Sequence, residues 1–219
     1  MRGVFVTGTG TGVGKSIVAA AVCAALAARG EAVAAFKPVV TGLDAAGDWP
    51  PDHELLAAAA GVAADRVAPY RFGPPLSPHY AAELAGEMIE PPLLVETART
   101  AAVGRTLVCE GVGGLLVPLT TGYLVRDLAV DLALSLVVAA HTGLGTINHT
   151  LLTIESARAA GLRVAGVVMT PWPAAPEPIE RSNRETVARL GGVPVSGLPP
   201  TTPAELAAAG RSLPLDDWL

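Results

Sequence analysis

Val4-Phe5-Val6-Thr7-Gly8-Thr9-Gly10-Thr11-Gly12-Val13-Gly14-Lys15-Ser16 carries a short apolar run through a glycine-rich loop into the alanine-rich segment Ile17 to Arg29. The order is strand, glycine loop, helix. Glycines let backbone N–H groups curl around phosphate oxygens, the helix N-terminus adds partial positive charge, and a lysine reaches the outer phosphates. The pattern GxxxxGK[ST] asks for glycine at position 9; here Thr9 stands there and Gly8 comes one place earlier. The dinucleotide pattern GxGxxG cannot be threaded through the loop in any register. The segment therefore predicts a triphosphate cradle, with Gly10, Thr11, Gly12, Val13, Gly14 and Lys15 around the phosphates and Ser16 as a ligand of magnesium.

Outward from the loop, short β-rich runs alternate with longer helical stretches. Strands are predicted at Val4 to Thr7, Ala32 to Lys37, Thr106 to Glu110, Leu134 to Ala139, Val164 to Met169 and Val193 to Leu198. Each is a continuous apolar run, as expected of strands covered on both faces. Helices are predicted at Asp52 to Ala60, Pro91 to Val103, Thr146 to Ala160, Glu177 to Leu190 and Pro203 to Ala209. The rhythm implies an α/β fold: a three-layer sandwich of the P-loop type, with a mostly parallel central sheet flanked by helices. The 219 residues fit one domain spanning 1–219, and the proline-rich patches at Trp49 to Pro51, Gly73 to Pro78 and Pro171 to Pro178 read as loops within it.

A net charge of −5 without any basic run disfavours nucleic acid and anionic membrane as partners. Cys23 and Cys109 sit in apolar runs without metal-ligand spacing and read as buried free thiols. No HExxH or CxxC pattern gathers His53, His79, His141 or His149 into a transition-metal site. Lys15 and the apolar run Ile17 to Ala28 imitate a signal peptide, but a strand and a glycine loop precede them, and the run falls short of the roughly 20 residues that span a membrane. A cytoplasmic location is expected.

Thirteen arginines stand against two lysines, Lys15 and Lys37. Both follow predicted strands, so both belong at the sheet edge where open α/β sheets bind ligands. A compact ammonium at Lys37, opening Lys37-Pro38-Val39-Val40-Thr41-Gly42, suits neutralisation of a transferring phosphoryl group. Glu110 closes its strand and precedes Gly111-Val112-Gly113-Gly114, read as a loop with amides open to a ligand. Its carboxylate can hold magnesium, which takes one or two carboxylates beside phosphate oxygens and water. Asp52 and Asp48 are both candidates for a second acid, and Asp52 is equally well placed to cap a helix. The free amides of Leu144-Gly145-Thr146-Ile147-Asn148-His149 can receive a carboxylate, or Thr146 can be a plain N-cap; Ser77-Pro78-His79 reads as a loop.

Taken together, the phosphate loop, Lys37 to Gly42, Ser77-Pro78-His79, Glu110 to Gly114 and Gly145 to His149 closely resemble the dethiobiotin synthetases in order and spacing over nearly the whole chain. That resemblance implies a homodimer with active sites near the interface that converts 7,8-diaminononanoate, CO2 and ATP to dethiobiotin in biotin biosynthesis. A carbamate and a carbamic-phosphoric anhydride are the implied intermediates. By resemblance, Lys37 and Lys15 are catalytic, and Ser16, Asp52 and Glu110 hold Mg2+; Asp52 matches the family's aspartate better than Asp48. Thr11, Lys37, Thr41, Gly113, Gly114, Leu144, Ile147 and Asn148 bind substrate, with Leu144 to Asn148 reaching across the dimer. Glu110, Gly113, Thr170 and Pro199 complete the nucleotide site. Many relatives place an asparagine that reads adenine where this chain has Met169-Thr170-Pro171-Trp172, so CTP and other triphosphates come into play, with Pro199 and Pro200 as further walls.

Two other readings share the architecture. A partition- or division-type switch ATPase carries an extra lysine early in the loop, where Gly10 stands here, and often a basic tail unlike Ser212 to Leu219. A small-molecule kinase would phosphorylate its acceptor without fixing CO2.

Overall fold

A computed structural model describes residues 1–45 and 47–219 of the chain. Its main sheet has six parallel strands: β1 (Gly3–Gly8), β2 (Val33–Phe36), β5 (Thr106–Gly114), β8 (Ser135–Ala140), β9 (Val164–Met169) and β10 (Val195–Gly197). Across the sheet they run β10-β9-β8-β1-β5-β2. Two small ribbons lie apart from it, β3 (Val39–Val40) with β4 (Tyr70–Arg71), and β6 (Pro118–Thr120) with β7 (Tyr123–Leu124).

Alternation along the strands divides the interior in two. Phe5, Leu107, Cys109, Leu136 and Val138 face one apolar cluster, and Val4, Val6, Val108, Val137 and Ala139 face the other. The first cluster is closed by α3 (Pro78–Ala85), α4 (Pro91–Ala101), α5 (Val125–Leu132), α6 (Thr146–Ala159) and α7 (Pro178–Gly191). The second is closed by α1 (Lys15–Ala28), α2 (Asp52–Ala60), α8 (Leu206–Gly210) and α9 (Leu215–Trp218). These are the expected three layers. Alanines along α1 allow close helix packing, and a methyl group added at Gly210 of α8 would strike the carbonyl oxygen of Ala21. Among the described residues no helix is long and apolar enough to cross a membrane. Cys23 and Cys109 are free and buried, one in each cluster.

β9 and α2 coincide with their predicted spans, α5 was not predicted, and four details of the expected segments differ. Gly111 to Gly114, expected as a loop, continue β5, and Gly114 pairs with Gly8. The missing side chains make this possible, since a Cβ at Gly111 would press on Phe5 and Val125. Pro78 and His79, also expected in a loop, form the first turn of α3, where proline's fixed φ suits a helix start. Gly145 rather than Thr146 is the N-cap of α6; Thr146 is buried and its hydroxyl lies 3.5 Å from that of Thr150. Asp52 does not cap α2 with its side chain, because Pro51 holds the cap position.

Candidate functional site

β1 sits at the centre of the sheet, so the loop at its carboxyl end opens where neighbouring strands also finish. Gly8 has to lack a side chain: a Cβ there would lie 2.7 Å from both Lys15 Cγ and Val13 Cγ2, blocking the fold of the lysine back over the strand end. Gly14, with φ 84°, takes the left-handed conformation at the N-cap of α1, and a Cβ on it would collide with the Thr170 methyl. Lys15 lies along the loop, and its Nζ donates to the Gly10 carbonyl at 2.7 Å.

Opposite the loop, Lys37 follows β2 directly and is only 3% exposed. Its Nζ stands 2.6 Å from Oε1 of Glu110 and 2.7 Å from Oδ2 of Asp52. The Ser16 hydroxyl donates to the same Glu110 oxygen at 2.8 Å. Four elements thus contribute to one cluster: α1 (Ser16), the end of β2 (Lys37), the first turn of α2 (Asp52) and β5 (Glu110). Glu110 is wholly buried and its second oxygen, Oε2, has no partner.

The charges act on one another. Burial alone would lower Lys37, but Glu110 and Asp52 outweigh it and hold the ammonium above the usual lysine range. Burial would raise Asp52, yet Lys37 and Ser16 prevail and its carboxyl sits below the ordinary range. For Glu110 burial wins over Lys37, and its carboxyl is pushed up. Lys15 is pulled down, chiefly by burial.

A cavity of about 590 Å³ opens onto this cluster. Of the residues expected at the site, Thr11, Gly12, Gly14, Lys15, Ser16, Lys37, Thr41, Asp52, Glu110 and Gly113 line it. Gly10 joins through its carbonyl, Thr170 lies behind Gly14, and Gly114 lies beside Gly8. Val13 turns into the core. Leu144, Ile147, Asn148 and Pro199 stand outside these walls, and Leu144 is 84% exposed. Asp48 is exposed and also outside. The residues that sequence reasoning missed are mostly apolar: Trp49, Leu55, Pro75, Leu76, Val112 and Val117. Trp49 alone had a signal, an aromatic ring in a proline-rich loop before Asp52.

A family model described as an AAA domain matches residues 2–204. The ATP-dependent dethiobiotin synthetase BioD of Anaeromyxobacter dehalogenans strain 2CP-1 is 42% identical over 216 residues, covering 97% of this chain and 96% of that protein. The chain belongs to the ATP-dependent dethiobiotin synthetases.

The BioD of Bacillus subtilis strain 168 is 34% identical over 205 residues, 91% of this synthetase and 87% of its relative. A ParA family ATPase from Chlorobium tepidum superposes with a TM-score of 0.59 over 97% of this synthetase and 91% of that chain. At 12% identity that likeness shows the shared α/β fold alone.

The donor set of the synthetase also fits a hard divalent cation. Ser16, Asp52 and Glu110 offer one hydroxyl and two carboxylates, all oxygen, and Glu110 Oε2 is a buried acceptor without a donor. Among the described residues no three His, Cys, Asp or Glu side chains converge, so further ligands would be phosphate oxygens and water, the habit of magnesium.

Proposed function

We propose that the cavity between the phosphate loop and Lys37 is where 7,8-diaminononanoate, CO2 and ATP are joined into dethiobiotin. The observation that carries this reading is the cluster of Lys37, Asp52, Glu110 and Ser16 directly facing Lys15 across one cavity. Phosphoryl transfer to a preformed carbamate is chiefly positioning and charge neutralisation, so cations and amides suffice and no covalent enzyme intermediate is required.

In this reading one amine adds to CO2 as a carbamate, the γ-phosphoryl group converts it to a carbamic-phosphoric anhydride, and the second amine displaces phosphate to close the ring. Lys15 and the amides from Gly10 to Ser16 hold the triphosphate, and Thr11 meets both phosphate and substrate. Lys37 neutralises charge on the carbamate and on the phosphoryl group in flight, and Thr41 and Gly113 contact the diamine. Ser16, Asp52 and Glu110 hold Mg2+, which when bound supplies positive charge to the phosphate oxygens. Pairing with Lys37 favours the ionised form of Asp52 and offsets part of the burial that pushes Glu110 up.

Leu144, Ile147 and Asn148 lie away from the cavity of their own protomer, which supports a homodimer in which this segment, with the Gly114 region, serves the substrate carboxylate of the facing site. Thr170, touching Gly14, and Pro199 border the nucleotide on the base side. Without the asparagine of many relatives, CTP and other triphosphates should support turnover alongside ATP, as a panel of triphosphates would measure. Turnover with ATP alone would exclude that relaxed base choice. A cytoplasmic setting goes with these small-molecule substrates.

The deciding experiment supplies labelled bicarbonate, the diamine and MgATP and seeks acid-stable label in a ring product. Phosphorylated diamine without label would favour a kinase, and hydrolysis indifferent to diamine would favour a switch ATPase.

A further inference from the structure

Carboxylation of an alkyl amine has to dispose of protons. A diamine with its two nitrogens on adjacent carbons keeps at least one of them as an ammonium at neutral pH, since an isolated alkyl amine such as a lysine side chain has a pKa of about 10.4. That nitrogen has no lone pair until it loses a proton. The titratable side chains lining the cavity are Lys15, Lys37, Asp52 and Glu110. Lys37, Asp52 and Glu110 are locked into one ion cluster, and Lys15 is committed to the loop.

Ser77 lines the same cavity as Lys37 and Thr41. Its hydroxyl lies 3.1 Å from Nδ1 of His79, in the first turn of α3. The segment is anchored beside Thr41, because the N–H of Gly42 donates to the Pro74 carbonyl at 3.0 Å. His79 is half-buried and stands behind Ser77, outside the cavity lining itself. Among the described residues it joins no ion pair. Glu83 lies one turn further along α3, and β6, against which α3 packs, offers Pro118, Leu119 and Thr120, none of them titratable.

We propose that Ser77 and His79 form a proton relay that deprotonates the diamine. The assignment rests on the reading above that the amines lie beside Lys37 and Thr41. An ammonium proton passes to Ser77 Oγ as the hydroxyl proton passes to Nδ1 of a histidine protonated on Nε2, and the imidazolium then releases its Nε2 proton to water. The freed nitrogen lone pair forms the N–C bond to CO2 while one C=O π pair moves onto oxygen. The N-carboxylated ammonium so formed is far more acidic than an alkyl ammonium and gives its second N–H proton to water, leaving the carbamate. The imidazole regains its Nε2–H tautomer by exchange with water before the next turnover. Ser77 touches substrate; His79 is a positioning residue that acts through it.

The test compares wild type with Ser77→Ala, His79→Ala and His79→Asn, the last able to accept a hydrogen bond from Ser77 but not a proton. Dethiobiotin formation is followed from pH 6.5 to 9.5, with binding of a fluorescent ATP analogue as the control for an intact fold. All three variants should bind nucleotide within about twofold of wild type and lose about a hundredfold in kcat/KM for the diamine at pH 7, the scale of general base catalysis. The deficit should shrink to under about tenfold at pH 9.5, where free amine is abundant. Imidazole added to His79→Ala should restore activity several-fold. Wild-type rates in His79→Asn, or a deficit that is the same at every pH and unmoved by imidazole, would overturn the relay. A wild-type enzyme that forms no ring product would instead sink the reading of the cavity itself.

Discussion

Lys37 Nζ lies 2.6 Å from Glu110 Oε1, and the other oxygen of that buried carboxylate meets no donor. A buried ion pair offsets its desolvation only when the remaining valences are filled, and removing one partner of such a pair commonly costs about 3–5 kcal/mol. The half-filled arrangement leaves Glu110 Oε2 as a buried acceptor open to further positive charge.

Lys37→Ala is therefore expected to do two separable things. Turnover should fall by about a hundredfold or more, the scale of losing one charge-stabilising donor, while nucleotide affinity stays largely intact. The ligand-free variant should also melt earlier than wild type, and MgATP should close much of that gap by bringing charge to Glu110 and Asp52. Steady-state kinetics and thermal melting with and without MgATP check both halves; near-normal turnover refutes the role.

The same cluster sets a pH signature on stability. Asp52 is held below its ordinary range, so its contribution is fully present above the unfolded carboxyl value of about 3.9 and drains away as pH falls through the lower folded value. Lys37 is held above its range, so its contribution is present below about 10.4 and is lost as pH rises through the higher folded value. Denaturant titrations of the nucleotide-free protein should show a shallower acid limb in Asp52→Asn and a shallower alkaline limb in Lys37→Met. Limbs identical to wild type would contradict the assignment.

Gly8→Ala places a methyl group 2.7 Å from Lys15 Cγ and Val13 Cγ2. The lysine has to leave its path across the strand end. Nucleotide affinity should drop by about tenfold or more, at about 1.4 kcal/mol per decade, in a chain that still folds. Titration with a fluorescent triphosphate measures it, and unchanged affinity would show that the lysine reaches the phosphates by another path.

Leu144→Asp probes the proposed dimer. A leucine 84% exposed on an isolated protomer and next to the start of α6 should be covered in the assembly. The charge should shift sedimentation toward the monomer and raise KM for the diamine, with nucleotide binding unaffected. An intact dimer with normal KM would remove this segment from the interface.

Much of the fold was legible because periodicity reports burial. β9 and α2 match their predicted bounds, since a doubly covered strand reads as an apolar block and Gly61 ends the α2 pattern cleanly. α5 was overlooked although Val125, Leu128, Ala129 and Leu132 repeat at helical spacing, because the run is short and interrupted by acids. The strand end at Gly111 to Gly114 was hidden for a different reason: glycine signals loops by propensity, and only pairing with β1 overrides it. Around the cavity, Lys15 and Lys37 stood out because lysine is scarce in this chain, and Glu110 because a lone acid at the end of an apolar block has few structural uses. Trp49, Leu55, Pro75, Leu76, Val112 and Val117 were not, since apolar side chains from separate segments share no spacing and only the folded chain assembles them.

The bond from Lys15 to the Gly10 carbonyl has a thermodynamic corollary. A triphosphate entering the loop meets a receptor already wound to shape, and the ammonium exchanges one oxygen acceptor for another instead of being ordered from a mobile state. Little chain freedom remains to be surrendered on docking, so association should be quick and its selectivity expressed in how slowly the nucleotide departs.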